Sequence, residues 1–139
     1  MHDNATIVRN FVEEVINRGN IEAAGQYAWD DVVEQVPLPG QGPGLDGLKH
    51  IVRVLRTAFP DINFSIQEQI SEADKVLSRF VWTGTHRGEF LGVPATGRPV
   101  SVWGMVIDRL VQGRIKDTRI LMDTLGLMIQ LGVVPPPQG

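Results

Sequence analysis

At 139 residues, with 42% hydrophobic and 21% charged side chains and a net charge of −3, the chain has the size and balance of one globular domain. It contains no cysteine, which excludes disulfides, thiolate nucleophiles and cysteine-held metals. No run of Lys or Arg offers a nucleic-acid surface, and no apolar run approaches the roughly 20 residues of a membrane-spanning helix, so neither nucleic acid nor a membrane is an expected partner.

The start, Met1-His2-Asp3-Asn4, lacks the basic and apolar regions of a signal peptide, which makes the cytoplasm the expected location. Asp3 or Asn4 can cap a first helix by accepting a backbone N–H. Ile7, Phe11 and Val15 then follow at a spacing of four, with Val8 and Val12 beside them, and Gly19 is its expected stop. A short second helix is expected from Ile21 to about Ala28, and a short strand over Asp31–Val36. The run Pro37-Leu38-Pro39-Gly40-Gln41-Gly42-Pro43-Gly44 is a loop by composition. Leu48, Ile51, Val52 and Leu55 give one apolar face to a third helix, from about Leu45 to Ala58.

After Pro60 the period changes from about four to two. Ile62, Phe64, Ile66 and Ile70 alternate with polar residues, as a half-buried strand requires. Glu72-Ala73-Asp74-Lys75 has the composition of a hairpin turn, and long strands are expected over about Val76–Arg87 and Arg98–Val111. Gln112-Gly113 is a turn signal, Arg114–Met122 a fourth strand in this run, and Thr124–Leu131 a last helix before a proline tail. The order α–α–β–α–β–β–β–β–α, with consecutive strands joined by short turns, implies an α+β fold: a curled, mainly antiparallel sheet with the early helices over its concave side. Residues 1–139 carry no sign of a repeat, linker or second domain.

Three stretches resemble the SnoaL-like polyketide cyclase family. They are Trp82-Thr83-Gly84-Thr85-His86-Arg87-Gly88-Glu89-Phe90-Leu91-Gly92-Val93-Pro94-Ala95-Thr96-Gly97-Arg98, the turn Gly113-Arg114-Ile115, and Asp123-Thr124-Leu125-Gly126-Leu127-Met128-Ile129-Gln130-Leu131-Gly132. The resemblance covers nearly the whole chain. It implies a cone-shaped α+β barrel, the nuclear-transport-factor-like fold shared with ketosteroid isomerases and limonene epoxide hydrolases, and assembly into dimers or larger oligomers through the sheet, with a homodimer expected here. It also implies ring closure by acid/base catalysis, with no metal or organic cofactor. The family's acid/base aspartate falls at the position of Ile120, and its two pocket histidines fall at Thr118 and Val106. Strand parity directs all three positions to the pocket.

With isoleucine at that place, His86 and Asp123 are the remaining candidates for proton transfer. A histidine titrates near neutrality, but His86 also suits a hydrogen-bonded place beneath a hairpin. Asp123 opens the last helix, where an N-cap is its simplest role. Trp82 is a candidate for the pocket wall. One of Glu34 and Gln35 must face inward on the first strand, and Gln35 is taken as a substrate contact. Trp103, Arg119 and Leu121 have outward parity and suit a dimer interface. His2 and His50 lack partners at metal-ligand spacing, so no metal site is expected. The function that follows is a cyclase-like protein holding a small, largely apolar carbonyl compound. The alternatives are a non-catalytic binding or oligomeric protein of the same fold, and an epoxide hydrolase using Asp108 with Arg109, or Arg119 with Asp123.

Overall fold

A computed structural model describes residues 3–137; His2 lies outside them. Helix α1 (Asn4–Phe11) begins where the Asp3 carboxylate accepts the Thr6 N–H at 2.8 Å. It continues as a wider, π-type winding over Val12–Asn17. A 3-10 helix (Ile21–Gln26), strand β1 (Ala28–Glu34) and helix α2 (Gly44–Ala58) follow. Strands β2 (Asn63–Glu72), β3 (Lys75–Thr85), β4 (Pro99–Val111) and β5 (Arg114–Met122) come next, and α3 (Thr124–Gln130) ends the order. The expected α+β architecture is thus present.

The five strands form one sheet in the order β1-β5-β4-β3-β2. Every neighbouring pair is antiparallel except β1 with β5 at the edge. Two tight turns follow the expected signals. Ala73 turns β2 into β3 at φ 54, and Gln112 and Gly113 turn β4 into β5 at φ 49 and 78. Both φ values are positive in the second turn, which suits its glycine.

The helices cover the sheet's inner face. Arg56 on α2 donates to the carbonyls of Ile16 (2.7 Å) and Asn17 (3.0 Å), groups that the end of the π-type winding leaves free. The Asn17 side chain then pairs with the backbone of Phe64 on β2, donating at 2.9 Å and accepting at 2.7 Å. These bonds fix the first helix across the sheet. Two apolar clusters result. One gathers Val8, Phe11, Val15, Val52, Val76 and Ile115, and the other gathers Phe59, Phe64, Phe80, Trp82, Phe90 and Leu127.

One parity expectation fails. Ile70 is 63% exposed, although Phe64 and Ile66 face inward. The register moves from Ile66↔Phe80 to Glu68↔Arg79, so β2 carries one extra residue at Gln67. Such a bulge reverses every later side chain. Gln69 turns inward instead and donates to the Ser78 hydroxyl (3.3 Å) and the Ala5 carbonyl (3.0 Å).

Candidate active site

Between the helices and the sheet lies a cavity of about 540 Å³. Its walls are apolar nearly throughout: Phe11 and Ile16 from the first helix, Ile51 and Leu55 from α2, and Phe80 and Trp82 from β3. The loop after β1 supplies Val36, Pro37 and Leu38 at the rim. Of the expected contacts, Trp82, Val106, Thr118 and Ile120 all line this cavity. The register explains this. Val106 sits opposite Ile120 and Asp108 opposite Thr118, so alternate residues of β4 and β5 share the inner face.

The structure places three other candidates away from the cavity wall. Gln35 is exposed and donates weakly to Asp117 at 3.5 Å, on the outer side of the sheet. Its neighbour Glu34 is the residue of that pair that reaches the cavity, because β1 turns Val32 and Glu34 inward together. His86 is fully buried but absent from the cavity wall. It stacks on Phe59 with ring centroids 5.3 Å apart, and Phe59 in turn meets Trp82 edge-on at 4.9 Å. Its Nδ1 accepts the Thr96 backbone N–H at 3.2 Å and lies 3.0 Å from the Thr96 hydroxyl. That ring braces the Phe90–Arg98 segment, whose Gly97 N–H also bonds to the His86 carbonyl at 2.8 Å. Asp123 caps α3, accepting the Gly126 N–H at 2.9 Å, and is likewise absent from the wall.

Asp108 is a titratable group that faces the cavity. It lines the wall, is buried, and its carboxyl is pushed from an ordinary value near 3.8 up to about 7. Burial is the main cause, since removal from water penalises the charged form. The Thr118 hydroxyl draws it back by hydrogen bonding, while the charges of Glu34 and Asp117 push it further up. Asp117 belongs to the opposite face and is bound to Arg109 at 2.6 Å. Burial also raises Glu34, against the backbone N–H groups of Val36 (3.0 Å) and Ile120 (3.4 Å) that favour its charged form.

Glu34, Thr118 and Asp108 form one row across three adjacent strands, Glu34 paired with Thr118 and Thr118 with Asp108. Among the described residues that line the cavity, Glu34 and Asp108 alone have ionisable side chains; Lys, Arg and His do not occur there. The epoxide-hydrolase reading therefore lacks its arginine, since Arg119 is exposed and Arg109 is bound to Asp117. No group of three or more potential ligands is placed to hold a metal among the described residues. No helix there is long and apolar enough to cross a membrane.

Helices over a curled sheet thus enclose an apolar cavity with a polar row at one side. The chain belongs to the SnoaL-like polyketide cyclase family, whose profile matches residues 6–131. It is 32% identical over 136 residues to the aklanonic acid methyl ester cyclase DnrD of Streptomyces peucetius, covering 88% of this chain and 92% of the relative. Among solved structures it is similar to TsrD from Streptomyces laurentii, with a TM-score of 0.85 and 26% identity over 96% of this chain and 100% of that one. It is also similar to IdmH from Streptomyces antibioticus, a candidate polyketide cyclase, with a TM-score of 0.82 and 28% identity over 95% of this chain and 100% of that one.

Proposed function

We propose that the chain holds a small, largely apolar carbonyl compound in the cone and catalyses cofactor-free proton transfer on it, leading to cyclisation or isomerisation. Asp108 supports this reading above all. A buried carboxyl that titrates near neutrality can give and take a proton at working pH, which an ordinary aspartate does poorly. The apolar wall matches an apolar ligand body, and the row at Asp108 matches its one polar end. Ring closure on an ester, as the relative's name states for that protein, is the form of the reaction to try first.

The test is proton exchange in heavy water at the carbon beside the carbonyl of a slowly exchanging apolar ketone such as 1-tetralone, read by NMR. Wild type should accelerate the exchange, and Asp108→Asn should remove most of that acceleration. Equal rates with and without wild-type protein would leave the second reading, an apolar-ligand carrier of the same fold. That reading draws support from Ile120 and Val106, which make much of the wall unreactive.

The family resemblance and the outer face of the sheet also support a homodimer. Trp103 is 49% and Leu121 73% exposed there, Met105 lies opposite Leu121, and Arg119 flanks them. Sedimentation that shows only monomer at micromolar concentration would remove this part of the reading.

A further inference from the structure

The two carboxyls of the row have unlike surroundings. On that difference we propose that Glu34 is the base of the reaction and Asp108 its acid, acting on a carbonyl compound with an acidic C–H beside the carbonyl. The inference rests on the proton-transfer reading above and extends it to a second residue.

Glu34 is held as an acceptor. The backbone N–H groups of Val36 (3.0 Å) and Ile120 (3.4 Å) reach its Oε2, and that of Gln35 also favours its charged form. Backbone donors aimed at a carboxyl stabilise its charged, proton-accepting form. Asp108 has the reverse setting. It is buried, the Thr118 hydroxyl is its hydrogen-bonding neighbour, and no backbone N–H is directed at its carboxyl among the described residues. Neighbouring strands lie about 4.8 Å apart, which puts the Glu34 and Asp108 backbones about 10 Å from each other across β5. A carbonyl group and its adjacent carbon fit between two side chains reaching inward over that span. Among the described residues, no cationic side chain lines the cavity to balance two negative charges, so ionisation of one carboxyl opposes ionisation of the other. At rest the row then contains one base and one acid.

The proton balance closes. Glu34 takes a proton from the carbon beside the carbonyl, and the C–H electron pair becomes the new C=C bond. The carbonyl pair moves to oxygen, which takes the proton of Asp108. An enol, a neutral Glu34 and an ionised Asp108 result. For isomerisation, Glu34 returns its proton to a different carbon and Asp108 recovers its own from the enol. For cyclisation, the enol carbon attacks a second carbonyl of the same molecule. The new alkoxide takes the proton from Glu34, and Asp108 again recovers the enol proton. Both routes restore the starting carboxyls and need no oxidant or reductant.

Two measurements test the pair. The first needs no ligand: a carbon-13 NMR titration of the Asp108 carboxyl in wild type and Glu34→Gln. Loss of a negative neighbour should move the Asp108 midpoint to lower pH. Asp117 with Arg109 is common to both proteins, and among the described lining residues neither α1 nor α2 presents a titratable side chain. An unmoved midpoint overturns the coupling. The second uses 1-tetralone in heavy water. Glu34→Gln should lower kcat about 100-fold with little change in KM, Glu34→Asp should recover part of it, and both variants should keep the wild-type melting curve. If Glu34→Gln exchanges as fast as wild type while Asp108→Asn is slow, the role of Glu34 is overturned and the proton-transfer reading stands. If wild type itself gives no exchange, that reading falls, and with it the role of Glu34 as a base.

Discussion

The Thr85–Arg98 segment and the cavity row treat polar groups in opposite ways. Away from the cavity, the Thr85–Arg98 segment ties polar groups together: His86 to Thr96, Thr85 to Asp61 by bonds of 2.7 and 2.8 Å, and the Arg87 N–H to the Ala58 carbonyl. In the cavity, Glu34 and Asp108 face apolar walls with no cationic side chain among the described lining residues. The first arrangement lowers free energy by pairing most of its polar groups, with Trp82 Nε1 and His86 Nε2 left buried without a hydrogen-bond partner. The second leaves a carboxyl near neutrality, a cost in stability that makes it available for proton transfer. The Trp82–Arg98 stretch that resembles the family thus mostly builds the scaffold, and the proposed acid/base pair lies on strands outside it.

This contrast can be broken by experiment. The largest expected effect is on rate. Asp108→Asn should slow ketone exchange by about 10²- to 10⁴-fold, the usual contribution of a positioned acid or base, while the protein stays folded. Next is the pH dependence of stability. Asp108 ionises near 3.8 when unfolded and at about 7 when folded, so its contribution to stability is full below about pH 4. It is lost as pH rises to about 7 and is level beyond, a fall of up to roughly 4 kcal/mol. Urea titrations of wild type and Asp108→Asn should thus diverge between pH 4 and 7, with the variant gaining; parallel curves would mean that Asp108 is not buried as described. His86→Ala should cost about 3 kcal/mol, because it empties a site against Phe59 and strands the Thr96 N–H. Below its lower Tm this variant should still bind cavity ligands with wild-type Kd, and a selective loss of binding would return His86 to the site. The smallest effect is that of Asp123→Ala, about 1 kcal/mol by loss of the α3 cap, seen as a modest drop in Tm with unchanged exchange rate.

Most of the architecture was legible because period and turn chemistry are local signals. Strand β5 and both tight turns lie where residue patterns put them. Ile70 was misplaced because a bulge depends on pairing with another strand, and nothing in Gln67 itself announces one. The cavity positions Val106, Thr118 and Ile120 followed from parity together with the family pattern. Asp108 did carry a signal. It continues the inward series Val100, Val102, Gly104 and Val106, so parity alone sets an acid into an apolar face. Read as half of an Asp108–Arg109 pair, it lost that meaning, because adjacent strand residues point to opposite faces. The choice of Gln35 over Glu34 could not be settled without knowing which residue of β1 pairs with Thr118.

The Val36 N–H that binds Glu34 belongs to the first residue of the cavity's rim. For protein engineering, this couples two properties usually adjusted separately. Exchanging the Val36–Pro43 loop to admit a larger ligand would also displace a donor from Glu34 and change its basicity. A graft that keeps Val36 and starts at Pro37 would alter the opening while leaving the carboxylate's anchor in place.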